Sequence, residues 1–486
     1  MDQRPEHTNS RIFLVLSQYA AMQAVVAVTG LVRNKVVAYR LGPSAFGEIS
    51  QISIVAGAIA TLVSFGMLVS LSRNVARIQT IEERQRHLAN ANGIIISLST
   101  VTLAVLVVLL STGVLLDLVG LTENPETVLM ASIFFSAIPL IGLQRNYLAL
   151  LQGVLDIKGM SGQRSAAVLT ATAVSVPIVW FFGSVGAAVQ FLLVNGLVTL
   201  LLGLRTRRLG YRPLAFRLEP DIVLALASFG IVSMVSGFAQ GMSDAAVRAA
   251  LIDDAGAAAN GLLQAPYVLV TTLRGIFLAS VGSISLVTVA SLKREEVAEA
   301  IDRLLNVVLP LAVIGLSLLG LFGSHVVIVL YSQSFAESAT LFPYILVADL
   351  LLVFAWIIGS PMLAAGDRFL WLSIDLAHAG VRWFMAIILL PRLGLLGVVV
   401  GFLAAGTFHV GLIFLSYRAR YGLRMSPKHG VRLLFGVMLI ALLSLIGADS
   451  GRSAMVMMGA GILWLVYTAY YVSQSNLFGS IRVHRQ

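Results

Sequence analysis

Long apolar runs separated by short polar turns cover almost the whole chain. A bilayer crossing needs about 20 mostly apolar residues. The pattern predicts fourteen such spans: 11–38, 44–72, 89–116, 128–152, 165–182, 186–204, 221–248, 257–291, 304–331, 338–365, 369–390, 395–417, 433–448 and 453–473. The first run exceeds the apolar core of a cleavable leader and reads as a retained signal anchor. Pro139, Pro177, Pro266, Pro310, Pro343 and Pro361 fall inside spans, where each frees a backbone carbonyl and marks an expected kink. No connection is longer than about 16 residues, which leaves no room for a soluble catalytic domain. The expected class is an all-α polytopic membrane protein of about fourteen transmembrane helices.

Composition agrees. The chain is 58% hydrophobic and 12% charged, where soluble domains carry about 25% charged residues. With no cysteine and seven scattered histidines, no disulfide, thiolate metal site or cofactor is expected. The net charge of +10 comes from loop asymmetry and does not point to nucleic acid. If the N-terminus is cytoplasmic, 24 of the 33 Lys and Arg lie in cytoplasmic segments, and only Arg40, Arg392 and Arg452 lie in outer connections. That bias predicts both termini inside. The basic stretches 205–217 and 418–432 are expected at the lipid headgroups.

Glycines repeat in order. Gly42 and Gly47 match Gly256 and Gly261 at an offset of 214, Gly153 matches Gly366 at 213, and Gly183 and Gly186 match Gly394 and Gly397 at 211. The repeat predicts two pseudo-symmetric six-helix lobes, 11–204 and 221–417, joined by a cytoplasmic linker at 205–220 and followed by a two-helix hairpin at 430–473. An even span number per half gives both halves the same orientation.

The turn between the first two spans reads Arg40-Leu41-Gly42-Pro43-Ser44-Ala45-Phe46-Gly47. Gly42 can end one helix, and Pro43 suits the first turn of the next. These residues, with Gly256 and Gly261 in the second half, resemble the turn of the multidrug/oligosaccharidyl-lipid/polysaccharide (MOP) flippase superfamily, in its polysaccharide-biosynthesis (O-antigen type) branch. The resemblance spans about 11–417 in span order. It implies two lobes around a central cavity that opens alternately to either side. It implies an undecaprenyl-type lipid carrying pyrophosphate-linked sugars as substrate, the bacterial inner membrane as location, and polysaccharide polymerase machinery as a partner beside membrane lipids. The second-half turn departs from the first, with Ile252-Asp253-Asp254-Ala255 in place of the basic residue, so the halves are not expected to bind substrate symmetrically.

Charged groups within the spans carry the functional reading. Six cations, Arg33, Lys35, Arg145, Arg248, Arg274 and Arg382, lie at membrane depth. At roughly 2.5–3.5 kcal/mol each they are too costly to face lipid. They must meet water, partners or ligand, and an anionic pyrophosphate matches them. Gln18, Thr29, Arg33 and Arg40 share one face of the first span, although Arg33 could instead reach the outer interface, as Lys35 is expected to do. Arg145 beside Gln144 has the same two readings at the inner interface. Ser233, Ser236, Gln240, Asp244 and Arg248 share a face, with Asp244 and Arg248 spaced for an ion pair. Asn260, Gln264, Tyr267, Thr271 and Arg274 form a stripe over four turns, with Arg274 at mid-span. Trp371, Asp375, His378 and Arg382 form another, where Trp371 suits sugar stacking and Asp375 and Arg382 could pair. Asp349 and His409 read as isolated ionisable groups, each a candidate for ion coupling. The expected substrate contacts are Arg33, Arg145, Arg248, Arg274, Arg382, Asn260, Gln264, Tyr267 and Trp371. The expected coupling or ion-pair residues are Asp244, Asp349, Asp375 and His378.

The expected function is therefore a flippase for lipid-linked oligosaccharide units rather than an enzyme. Lipid II transport and multidrug extrusion are the alternatives within transport. Multidrug extrusion handles cations and fits an arginine-rich cavity poorly. A membrane glycosyltransferase or polymerase would need paired carboxylates or a long outer loop, and Asp253-Asp254, the single adjacent Asp pair, sits in a short turn.

Overall fold

The computed structural model describes residues 6–289, 294–364, 367–421, 427–447, 459, 461, 462 and 464–466. Among these residues the fold is helical, without strands. In chain order the helices are α1 (Glu6–Val63), α2 (Met67–Arg77), α3 (Ile81–Ser111), α4 (Val114–Leu118), α5 (Pro125–Ser136), α6 (Ile138–Gly153), α7 (Ile157–Arg208), α8 (Pro220–Val289), α9 (Arg294–Leu321), α10 (Gly323–Leu330), α11 (Phe342–Ala364), α12 (Arg368–Leu393), α13 (Leu395–Tyr421) and α14 (Pro427–Gly447). A 3-10 helix, Gln333–Leu341, precedes α11.

Nine helices among the described residues are long and apolar enough to cross a membrane, or ten if the bent pair Pro220–Ser228 and Gly230–Gly275 is one span. Several exceed one crossing. The stretch Ala21–Arg77 has 57 residues, about 85 Å at the helical rise, against a hydrocarbon core of about 30 Å. It holds the second expected span and most of the first. The fourteenth expected span, 453–473, lies almost wholly outside the described residues, as does Gly366.

The repeated glycines break the long helices in matched ways. Gly42 has φ +77° and ψ −177°, and Gly256 has φ +82° and ψ +166°. Gly183 has φ +56° and ψ −131°, and Gly394 has φ +56° and ψ −138°. Positive φ carries no penalty at glycine. Pro43 follows Gly42 in the first turn of the next helix, as its fixed φ allows. The neighbouring glycines match in packing. A β-carbon at Gly186 would lie 2.5 Å from Ile178 O, and one at Gly397 would lie 2.4 Å from Leu389 O. Pro139 sits at the start of α6, where the fourth span divides from α5. Pro343 lies where the 3-10 helix Gln333–Leu341 passes directly into α11.

The chain forms two compact units, Met1–Gly261 and Leu262–Gln486. The first unit includes α1–α7 and the first half of α8. That half packs on α1 and the turn after it through glycines: β-carbons at Gly230, Gly237 and Gly241 would lie 2.2 Å from Phe65 O, 2.8 Å from Thr61 Cγ2 and 2.7 Å from Ala58 Cβ. Small residues let helix backbones approach closely in a membrane. Gln51, fully buried, donates to Val119 O and Ala245 O, each at 3.0 Å. The second unit includes the rest of α8 and α9–α14, with α11 sandwiched by α9, α13 and α14.

The two repeated turns also meet inside the first unit. A β-carbon at Gly47 would lie 1.9 Å from Ala257 O, and one at Gly261 would lie 2.0 Å from Pro43 O. Gly57, in the same helix, has nothing within 4 Å. Gly47→Ala is therefore expected to lower membrane abundance and melting temperature. Gly57→Ala is expected to be neutral or to stabilise by up to about 1 kcal/mol through helix propensity. Thermal melts of the two detergent-solubilised variants compare them directly.

Candidate functional site

In the first unit two arginines are held by hydroxyls. Arg33, in the first half of α1, donates from Nη1 to Thr172 Oγ1 of α7 at 2.8 Å. Arg145 of α6 donates to Thr61 Oγ1, in the last turn of α1, at 3.3 Å and to Ser64 Oγ, just past its end. Both arginines are partly exposed, and among the described residues neither has a carboxylate in ion-pair range. The hydroxyls keep other acceptors: Thr172 bonds Val168 O at 2.6 Å, Thr61 bonds Gly57 O at 2.9 Å, and Ser64 bonds Thr61 O at 3.1 Å. Each hydroxyl thus orients a guanidinium without cancelling its charge. Thr29 turns its hydroxyl back into its own helix, donating to Val25 O at 2.7 Å. Lys35 is exposed, and Arg40 is exposed over the Trp180 ring at 5.8 Å.

Arg248 and Asn260 do not line a surface. Both are fully buried. Arg248 Nε donates to Asp244 Oδ1 at 3.2 Å, and its Nη1 donates to Asn260 Oδ1 at 2.9 Å. Asn260 Nδ2 in turn donates to Gly47 O at 2.8 Å. This network ties the second-half turn to the first, so the expected substrate contacts at Arg248 and Asn260 are corrected to internal ones in this conformation. The reason is that Gly47 and Gly261 bring the two turns into van der Waals contact and leave no room for a ligand between them.

The second unit gathers the remaining charged groups. Arg274 of α8 donates from Nη1 to Asp349 Oδ1 of α11 at 2.6 Å, with the side chains 25% and 4% exposed. Asp349 Oδ2 is buried without a hydrogen-bond partner. Arg382 of α12 lies 4.4 Å from the Phe402 ring centre of α13, and its Nη2 reaches Tyr267 Oη at 3.4 Å. His378 of α12 and His409 of α13 meet edge to face at 4.5 Å. Asp349 and His409 are therefore not isolated, because helix packing supplies each with a partner that sequence spacing does not reveal. Gln264 Oε1 is buried and without a hydrogen bond. Trp371 packs its ring edge against Gly359 of α11, where a β-carbon would lie 2.4 Å from Trp371 Cζ3. Asp375, on the same helix, is partly exposed.

The hydroxyl partners Thr61, Ser64 and Thr172 are not among the contacts expected from sequence. Their signal was present: Thr61 and Ser64 are spaced i, i+3 on one face of an otherwise apolar run.

An all-helical fold with nine or ten helices long and apolar enough to cross a membrane among the described residues defines a multi-pass membrane protein. Residues 16–286 match the family model described as polysaccharide biosynthesis protein, and the chain belongs to that family. Among solved structures, the lipid II flippase MurJ in its inward closed conformation aligns at a TM-score of 0.74 and 14% identity, over 94% of this chain and 98% of that one. An inward-facing multidrug resistance MATE family transporter of the MOP superfamily aligns at 0.60 and 15%, over 89% and 99%. A MOP superfamily transporter from Pyrococcus furiosus, described for the reversed polarity of its binding pocket, aligns at 0.56 and 14%, over 84% and 95%. No curated protein matches the chain.

Proposed function

We propose that the protein moves polyprenyl-pyrophosphate-linked oligosaccharide repeat units from the cytoplasmic to the outer leaflet, by alternating access, for surface polysaccharide assembly. The observation that carries this reading is the pair Arg33 and Arg145, each oriented by hydroxyls and neither matched by a carboxylate among the described residues. Such cations suit an anionic ligand, and a pyrophosphate offers two oxygens to each guanidinium fork. They repel cationic drugs, which argues against multidrug extrusion. Membership of a polysaccharide biosynthesis family supports the substrate class. Arg274 and Arg382, with Tyr267 between them, are proposed as contacts in the second lobe, with Trp371 and Gln264 nearby in sequence. Movement of spans 1–6 against spans 7–12, both termini in the cytoplasm of a bacterial cell, and cooperation with polysaccharide polymerase machinery complete the proposal.

Lipid II is a second substrate with the same anionic anchor, and the alignment with MurJ favours it as the alternative. Depletion of the protein followed by analysis of lipid-linked intermediates decides between them. Accumulation of an oligosaccharide repeat unit on the inner leaflet, with normal peptidoglycan precursors, is the expected result. Accumulation of lipid II alone would transfer the assignment to peptidoglycan synthesis.

A further inference from the structure

Residues 209–219, between α7 and α8, run along the first turns of α3 as a strap rather than a loose loop. Asn92 Nδ2 donates to Pro213 O at 2.8 Å and to Ala215 O at 3.1 Å. The Arg217 amide donates to Ala89 O at 3.1 Å, Tyr147 Oη donates to Pro213 O at 3.1 Å, and Gln85 exchanges two bonds with the Arg212 main chain. Gly93 permits this contact, since a β-carbon there would lie 2.0 Å from Arg217 O. Glu219 closes the strap by binding Arg86 and Asn90, and these partners hold its carboxylate down to about 2.

The face opposite α3 has an unusual composition. Every second residue is apolar and open: Leu214, Phe216 and Leu218 are 76%, 51% and 49% exposed. In the last turn of α7 and the start of the strap, Arg207, Arg208 and Arg212 are exposed and have no carboxylate partner among the described residues, whereas Arg217 is paired with Glu219 at 3.4 Å. The strap is clipped at the level of Asn92 and Gly93, where the polar first turns of α3 give way to the apolar run 94–111. That run is about 27 Å long, close to the thickness of the hydrocarbon core. The strap therefore lies at the edge of the acyl region.

Apolar tips flanked by unmatched cations at that depth are the chemistry of an interfacial anchor on anionic lipid. We infer that the 209–219 strap is a binding site for anionic phospholipid: Leu214, Phe216 and Leu218 enter the headgroup–acyl boundary, and Arg207, Arg208 and Arg212 take the lipid phosphates. The inference is independent of the transported substrate and is tested without transport.

Because the chain has no cysteine, a bimane fluorophore on Phe216→Cys reports from a single position of the full-length protein in nanodiscs. Brominated phosphatidylglycerol should quench it more strongly than brominated phosphatidylcholine. The ratio of their affinities should fall about five-fold for each of Arg207, Arg208 and Arg212 replaced by Gln. The single Arg207→Gln variant carries the same expectation if the triple variant does not fold. Equal quenching by both lipids, or a ratio indifferent to the three arginines, would overturn the proposal. So would a label unquenched in nanodiscs yet protected in native membranes, which would assign the surface to a protein partner.

Discussion

Arg33→Ala and Arg145→Ala are each expected to reduce export of surface polysaccharide strongly, and together to abolish it, while the protein remains folded and at normal abundance. The stability side follows from the hydroxyls. Removing Arg33 leaves Thr172 still bonded to Val168 O, and removing Arg145 leaves Thr61 bonded to Gly57 O and Ser64 to Thr61 O. No buried polar group is orphaned, and no carboxylate loses its counter-charge. The functional side follows from the ligand. A charge-assisted hydrogen bond to phosphate is worth about 1.5–3 kcal/mol, so each truncation should weaken substrate binding about 10- to 100-fold. Lysine at either position should retain part of the activity, because the charge survives and the planar fork does not. Immunoblots and surface-polysaccharide assays on the same cells provide the measurement. Full export from a normally abundant double variant would end the assignment of these residues.

Arg274→Ala is expected to behave differently, lowering membrane abundance and export together. It leaves the Asp349 carboxylate, 4% exposed, without its partner at 2.6 Å. Breaking a buried ion pair from one side costs about 3–5 kcal/mol, against net stabilities of about 5–15 kcal/mol. Removing the acid as well, in Arg274→Ala with Asp349→Asn, should restore abundance, since the uncompensated charge is gone. Export by that double variant then separates two roles for Arg274. A stable protein that does not export retains Arg274 as a substrate contact. A stable protein that exports normally reduces the pair to a structural one. Asp349→Asn alone should have the milder effect on abundance, because Arg274 is 25% exposed and keeps access to water. A double variant no more abundant than Arg274→Ala would contradict the ion-pair account.

The sequence alone determined the class of the molecule and four of the places where its helices break, at Gly42, Gly183, Gly256 and Gly394. Span length, glycine and proline chemistry and charge composition act within a few residues of themselves. Gly42 followed by Pro43 could therefore be read as a helix break with Gly256 as its counterpart, and Gly183 and Gly394 as a second matched pair of turns. The family resemblance rested on the same local turn. Which charges meet was decided only by tertiary structure. Asp244 and Arg248 were readable as a pair because they are four residues apart on one helix. Asp349 lies 75 residues from Arg274, and Thr172 lies 139 residues from Arg33, so their contacts depend on how distant helices tilt and rotate against each other. Packing also reversed the reading of Arg248 and Asn260. A polar stripe on one helix looks the same whether it faces a cavity or another backbone, and here the missing β-carbons of Gly47 and Gly261 let a backbone fill that space.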